Sequence, residues 1–242
     1  MPSVLVPKRS LTPEWMDRAD NSQQDLEGAL KDIRKVNRFL RGSKILIDAL
    51  RPCLEKQRDG ETLTILDVGT GGGDLPIDIV HEARAMGKRV RITAVEKDAT
   101  TAAYAKAETR PYAEIEVEHA DATQLPYPPE SFDVVIASLF LHHFGDEQAA
   151  RLLRNFRALA RRAVLINDLR RHLIPWAVIG VAAHVTGRHA MFRHDAPLSV
   201  LRGFTTSELR HAAKEAGVPR ATLVRRFPYR LLMTLPGSNA TP

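Results

Sequence analysis

The sequence predicts an α/β fold with a mostly parallel, seven-stranded sheet and helices on both of its faces. Three observations carry that expectation. Strand-like runs at Thr62–Val68, Val90–Glu96, Glu114–His119, Phe132–Ser138 and Arg162–Asp168 are separated by helical patterns at Asp74–Ala85, Asp98–Thr109 and Asp146–Leu159. Such alternation builds parallel strands joined by crossover helices. A glycine-rich turn joins the first strand to the helix after it. Two closing runs, Ala221–Phe227 and Tyr229–Leu235, are split by Pro228 and read as a hairpin-like pair, which makes the last strand an antiparallel edge.

Ahead of the first strand the chain is helical. Residues 1–20 are proline-punctuated and extended, turning briefly helical around Trp15 and Met16. From Gln23 to Leu40, Leu26, Leu30, Ile33, Val36 and Leu40 recur at helical spacing, and Gly42 interrupts. A second helix, Ser43 to Glu55, carries Leu46, Leu50, Cys53 and Leu54 on one face. Residues 1–56 are therefore expected to form a helical lid on a sheet domain at 57–242.

Residues 169–204 break the alternation and read as a cap inserted after the fifth strand. The next helix is firmly signalled. Thr205 and Glu208 form a capping box, Leu209, Ala212, Ala213 and Ala216 give its apolar face, and Gly217 and Pro219 stop it. The final GSNATP is expected to fray.

At 242 residues the chain is long enough to bury a core without staples, and 44% apolar with 26% charged residues argues against global disorder. The lone cysteine, Cys53, excludes an internal disulfide and suits a reducing cytosol. The opening MPSVLVPKRS lacks a secretory pattern, so a cytoplasmic protein is expected. The net charge of +6 comes from scattered residues: Arg151, Arg154, Arg157, Arg161 and Arg162 along one helix, then Arg170, Arg171, Arg225, Arg226 and Arg230. These read as solvated faces, with an acidic ligand, an anionic membrane or nucleic acid as sharper alternatives. Sparse aromatic interleaving argues against nucleic acid.

The chemistry concentrates in Leu66-Asp67-Val68-Gly69-Thr70-Gly71-Gly72-Gly73-Asp74, which follows an apolar strand and opens a helix. Glycines there allow a sharp turn and close approach of a ligand. A dinucleotide fingerprint starting at Gly69 needs glycine where Asp74 stands, and no Gly-Lys-Ser/Thr follows for a phosphate loop. The second strand ends at Glu96, suited to ribose hydroxyls, and the third leads into Asp121. With Asp67, three acids at successive strand tips suit a cationic sulfonium nucleoside better than a phosphorylated cofactor.

This order of Asp-Val-Gly-Thr-Gly-Gly-Gly, Glu96, Asp121 and Phe132-Asp133-Val134-Val135-Ile136-Ala137-Ser138 resembles the class I S-adenosylmethionine-dependent methyltransferases, over about 62–168. The resemblance implies a Rossmann-like sheet that binds S-adenosylmethionine. Gly69, Gly71 and Gly73, with Asp67 and Thr70 in the same loop, would flank the methionine part. Glu96 would hold the ribose, Asp121 and the Ala122 N–H the adenine, and Ser138 and Leu139 would stand beside the methyl donor. Met16-Asp17, Asn37-Arg38, Asp168-Leu169-Arg170-Arg171 and Arg193-His194-Asp195 resemble bacterial small-molecule methyltransferases of aromatic or polyketide products.

The fourth strand continues as Ser138-Leu139-Phe140-Leu141-His142-His143-Phe144. It lacks the Asn/Asp-Pro-Pro-Tyr/Phe run of amine methylation, and Cys53 lies upstream of the glycine loop. Both absences lower the nucleic-acid reading, and the expected acceptor is a small, apolar or aromatic molecule methylated on oxygen. His142 and His143 are the candidate bases. An RNA or protein methyltransferase and a non-catalytic binding module are the competing readings. The uncharged Leu173–Val185 run, flanked by Arg170, Arg171, Arg188 and Arg193, is too short to span a bilayer. It reads as a buried cap helix or an apolar acceptor wall around Trp176, with an interfacial membrane anchor as the alternative. His172, His184, His189 and His194 lack the helical pairing of a metal site, and no metal is expected. Oligomeric state is not encoded in any motif.

Overall fold

The computed structural model describes residues 5–18, 20–40, 42–187 and 189–239. Arg188, one of the basic flanks noted above, lies outside them, as do the first four residues and the last three. Seven strands form one sheet: β1 (Thr62–Val68), β2 (Arg89–Glu96), β3 (Ile115–His119), β4 (Phe132–Ser138), β5 (Ala160–Leu169), β6 (Thr222–Arg226) and β7 (Arg230–Pro236). Their spatial order is β3-β2-β1-β4-β5-β7-β6. The first five are parallel, and β7 runs antiparallel between β5 and β6. The antiparallel last strand is therefore interior, because the short β6 takes the edge. The order reverses between β1 and β4, which opens a crevice at the carboxyl ends of those strands.

Both faces of the sheet are buried. Leu66 and Val68 of β1 pack with Val135, Leu153, Phe156 and Leu209 on the side of α5 (Asp146–Leu159) and α8 (Thr206–Glu215). Leu63 and Ile65 point the other way, into Val134, Ile136, Leu165 and Leu232 under α2 (Gly42–Glu55) and α3 (Asp74–Ala85). With no polar atoms tolerated on either face, polar chemistry is confined to the strand tips.

The predicted 1–56 lid divides in two. Leu46, Leu50 and Leu54 of α2 join the sheet core. Only α1 (Gln23–Phe39), capped by Ser22, lies over the carboxyl rim. Its Arg34 ion-pairs with Asp74 and with Glu108 of α4 (Ala99–Thr109), and donates to the Gly72 carbonyl at 3.3 Å. The helix is thereby fastened to the glycine turn. Asp98 caps α4 and Thr205–Glu208 cap α8 reciprocally, as the sequence predicts.

Residues 169–204 fold as two helices, α6 (Leu173–Thr186) and α7 (Ala190–Arg202). Met191 and Phe192 of α7 pack with Leu26 and Ala29 of α1. Asp195 of α7 accepts the backbone N–H groups of Trp15 (2.8 Å) and Met16 (2.9 Å), and the Trp15 ring stacks on His194 at 4.0 Å. Together α1, α7 and the 3₁₀ turn Trp15–Asp17 roof the rim. The apolar run behaves otherwise than a buried cap: α6 leans on α7 with one flank and leaves Ile174, Val178, Val181 and Val185 exposed. Some of the arginines noted in the sequence are ion-paired, Arg151 with Glu147, Arg161 with Asp133, Arg162 with Glu61 and Arg171 with Glu208.

The roof hangs on Asp195, so Asp195→Ala leaves two amides without their acceptor. Urea unfolding should show a loss of about 1–3 kcal/mol. Hydrogen exchange should rise at Trp15 and Met16 while protection in β1 and β4 is unchanged.

Candidate active site

The glycine turn leaves β1 with φ at +69° for Gly69 and +56° for Gly71, a region that side chains avoid. At Gly69 a Cβ would also stand 2.4 Å from the Phe140 ring. The turn is pinned to β2, since Gly69 and Thr70 donate to the Val95 carbonyl at 3.0 and 3.1 Å. The Gly71 N–H donates to Glu96 Oε2 at 3.0 Å, and Glu96 Oε1 accepts from Lys97 and Asp98 N–H at 2.8 and 3.1 Å. A carboxylate has about four acceptor positions. The predicted ribose acid thus also holds the loop, with one position to spare.

Asp121 sits one strand further out. It takes the Thr123 N–H at 2.9 Å and hydroxyl at 2.7 Å, and Lys97 Nζ lies 2.9 Å from its other oxygen. Lys97 and these bonds hold its carboxyl down to about 2. Ala122 beside it is buried. Asp67 is the opposite case. Its side chain is enclosed at the tip of β1, burial pushes its carboxyl up to about 7, and the nearby charge of Glu96 acts in the same direction. Asp67 Oδ2 and Thr70 Oγ1 have no hydrogen-bond partner among the described residues. A buried acid with one oxygen unpaired, beside a Gly71 that no side chain crowds, fits a ligand carrying positive charge and hydrogen-bond donors. A phosphate placed there would face Asp67, Asp74 and Glu96 together.

Across the switch point, Ser138 Oγ accepts from the Asn167 side-chain amide at 3.2 Å. Leu139 is held at φ +55° with its N–H on the Asn167 carbonyl at 2.8 Å. A leucine there costs roughly 1–2 kcal/mol, a strain the two strand tips must absorb. The chain then folds into a short 3₁₀ turn, Leu141–His143.

The two candidate histidines land in different surroundings. His142 is buried: Nδ1 lies 2.7 Å from Asp168 Oδ1, its backbone N–H donates to Asp168 Oδ2 at 3.0 Å, and Nε2 faces Glu14 Oε1 at 3.6 Å. Burial alone would lower its pKa, but the carboxylates of Asp168 and Glu14 outweigh it and push the imidazole up to about 9. The same contacts hold Asp168 and Glu14 below the usual carboxylate range in spite of their burial. His143 is partly exposed, with Nδ1 3.2 Å from Asp17 Oδ2, and its ring leans on His142 at 4.3 Å. Arg202 of α7 closes the cluster through the carbonyls of His142 (3.3 Å) and His143 (2.8 Å) and stands 3.6 Å from Glu14. Glu14, His142 and His143 bring three metal-ligating atoms within 4.8 Å of one another. The Arg202 guanidinium beside Glu14 and the proton held on His142 both oppose a cation there.

Glu14, Asn167, Arg202 and the caging of His142 were not readable from spacing. Glu14 lies in a proline-punctuated segment with no motif, and Asn167 and Arg202 are ordinary members of their elements until the sheet register and the roof bring them in. The other histidines serve locally: His172 caps α6, His184 bonds the Gly180 carbonyl, and His189 bonds Asp32.

Residues 65–163 match a family of methyltransferase domains. Among curated proteins, 97 residues are 37% identical to 27-O-demethylrifamycin SV methyltransferase of Amycolatopsis mediterranei (strain S699), covering 37% of this chain and 34% of that one. The chain thus matches about a third of that relative's length. Among solved structures, the citrinin polyketide synthase CMeT domain superposes with a TM-score of 0.62 at 14% identity, over 83% of this chain and 52% of the other. Magnesium protoporphyrin IX methyltransferase from Synechocystis PCC 6803, with bound S-adenosylhomocysteine, gives 0.56 at 18% identity, over 84% and 87%. At such identities the structures speak for the fold. Residues 65–163 thus match a methyltransferase domain, and the sheet order is the Rossmann-like one that these methyltransferase structures share.

Proposed function

We propose that the chain transfers a methyl group from S-adenosylmethionine to a hydroxyl oxygen of a small, apolar or aromatic acceptor. The observation that carries this reading is the rim itself: an acidic half at Asp67, Glu96 and Asp121, and a buried imidazole–carboxylate pair, His142–Asp168, at the tips of β4 and β5. S-adenosylmethionine, when bound, supplies an electrophilic methyl on a sulfonium. The glycine loop with Asp67 and Thr70 faces its methionine part. Glu96 accepts from the ribose, Asp121 and the Ala122 N–H meet the adenine, and Ser138 and Leu139 border the donor.

In this reading Asp168 fixes the ring of His142 through Nδ1 and leaves Nε2 as the basic atom. Glu14, 3.6 Å from Nε2, stands where an acceptor hydroxyl would enter. The acceptor O–H gives its proton to Nε2 as its oxygen takes the methyl carbon. The carbon–sulfur bond breaks with its electron pair staying on sulfur, so a neutral thioether leaves. His143, paired with Asp17 at the same mouth, is the second candidate base. The 27-O-demethylrifamycin SV methyltransferase, a relative named for an oxygen acceptor, supports O-methylation over N- or C-methylation.

A second reading concerns location. The row Ile174, Val178, Val181 and Val185 on α6 is exposed, as is Phe227 at 91%, and His172 at the start of α6 lies 5.2 Å from the Tyr229 ring. Arg170, Arg225, Arg226, Phe227 and Tyr229 line a hollow of about 270 Å³. An apolar helix face near clustered guanidiniums suits peripheral contact with an anionic bilayer. No helix among the described residues is long and apolar enough to cross a membrane. Co-sedimentation should be seen with phosphatidylserine vesicles and lost with phosphatidylcholine vesicles or with Val178→Glu/Val181→Glu. Equal behaviour on both lipids removes this reading.

Two measurements test the chemistry. S-adenosylhomocysteine should raise the melting temperature by mass action, and Glu96→Gln should weaken its binding by about 1.5–3 kcal/mol. A shift with NAD in its place would reject the cofactor. Turnover should climb as pH rises toward about 9, where His142 loses its proton. His142→Gln should remove that limb and lower turnover by ~10²–10⁴. Glu14→Gln should move the limb to lower pH, because one of the two anions that retain the proton is gone. A limb unmoved by either substitution would leave proximity alone to carry the reaction.

A further inference from the structure

Arg230 opens β7 at the same rim, beyond the histidine pair. Only 4% of it is exposed, yet among the described residues no carboxylate forms an ion pair with its guanidinium. Nη2 reaches the Asn37 side-chain carbonyl at 3.4 Å, and Nη1 has no hydrogen-bond partner among the described residues. Burial drags its pKa down to about 10, opposed only by the field of Asp168, a carboxylate already committed to His142. The residue across the ladder on β6 is another arginine, Arg226. Like charges in that position repel, so the neighbourhood adds to the positive charge. A buried charge without a partner is among the costliest features a fold can retain.

The register shows what the charge faces. Leu165 and Leu232 belong to the core under α2 and α3, and the two-residue period of a strand puts Asn167 and Arg230 on that same face. Leu169 lies opposite Arg230 and Leu232 opposite Asn167, which makes Asn167 and Arg230 diagonal neighbours, about 7–8 Å apart at Cα. Asn167 is fully buried, is bonded to Ser138 through Nδ2, and has its Oδ1 unpaired. A polar row therefore runs Ser138, Asn167, Arg230 from the switch point outward, with unsatisfied atoms on its last two members. α1 closes it from above through Asn37.

We propose that Arg230 is the anchor for a carboxylate on the methyl acceptor, with the unpaired Asn167 Oδ1 left to accept from a donor elsewhere on the same molecule. The identity of the acceptor as a methyl acceptor rests on the function proposed above; the anion site itself does not. A carboxylate offers two oxygens to a guanidinium whose free donors lie in one plane, and it supplies the missing negative charge. Strand spacing sets the reach: β4 to β7 is two steps, roughly 10 Å. That is the length of an aromatic acceptor that has its carboxylate at one end and its reacting hydroxyl near Ser138.

The test uses the whole chain and benzoate, with benzamide as the neutral shape match. Binding is read by thermal shift and calorimetry, with and without saturating S-adenosylhomocysteine. Benzoate should stabilise the wild-type protein and benzamide should not. Arg230→Met should weaken benzoate binding on the order of tenfold or more and leave the response to S-adenosylhomocysteine unchanged. Arg230→Met should also melt higher than wild type, since it removes an uncompensated buried charge; a purely structural arginine would make it melt lower. Arg230→Lys should fold and restore part of the benzoate response. Equal stabilisation by benzoate and benzamide, or a benzoate response preserved in Arg230→Met, overturns the site. Failure of S-adenosylhomocysteine to bind while benzoate still discriminates Arg230 would remove the methyl-transfer reading and keep the anion site.

Discussion

The imidazole of His142, wedged between Asp168 at the tip of β5 and Glu14 from the N-terminal turn, joins three segments that are remote in sequence. Without the proton on that ring, two buried carboxylates would share one pocket, with Arg202 3.6 Å from Glu14. The roof, the 3₁₀ turn after β4 and the end of α7 all converge on this point, so the cluster is as much a fastener as a candidate base. The two roles are compatible only if the proton can be exchanged in place. A rim that opens by moving Glu14 would lower the affinity of His142 for its proton at the moment an acceptor enters.

The sheet explains why so much charge collects on one edge. Strands with apolar residues on both faces leave polar groups to their ends, and at the carboxyl rim the outer strands differ in sign. Asp67, Glu96 and Asp121 stand on β1, β2 and β3; Arg170, Arg225, Arg226 and Arg230 stand on or beside β5, β6 and β7. A cationic donor and an anionic acceptor would be drawn to opposite halves, with β4 and its histidine turn between them. The positive balance of the chain thus has a local expression that composition alone could not reveal.

Much of this was legible in the residues. Alternation of strand and helix patterns, the glycine turn, the tip acids and the Thr205–Glu208 box all depend on local spacing, and the structure reproduces them. What sequence reading missed depends on tertiary placement. The helix Ser43–Glu55 was read as lid, yet Leu46, Leu50 and Leu54 fill the sheet core, because helical periodicity reveals an apolar face and not the surface it meets. The Leu173–Val185 run reads as a buried cap or an acceptor wall, with a membrane anchor as the alternative, but a hydrophobic helix is buried only with a partner on every side, and here Ile174, Trp176, Val178, Val181 and Val185 are exposed. Glu14 and Arg230 carried no motif. Each became meaningful through burial and through the charge beside it.

The rim also concentrates the features that a fold optimised for stability alone would discard. Asp67 is enclosed without a partner for one oxygen, Leu139 holds a left-handed backbone, and Arg230 keeps a charge that nothing around it neutralises. They lie on β1, β4 and β7, three strands in one span of the sheet, and at the same ends of those strands. Elsewhere Asp133 takes the Thr64 N–H and hydroxyl and two arginines, while Gln57 bonds the Glu61 and Arg89 carbonyls through Nε2 and leaves Oε1 unpaired, as Arg157 leaves Nε. Unsatisfied groups strewn at random would mean poor packing. Asp67, Thr70, Asn167 and Arg230 share the carboxyl rim, opposite in sign at its two ends and roofed by helices pinned through Arg34 and Asp195, and they have the form of a site whose missing partners are its ligands.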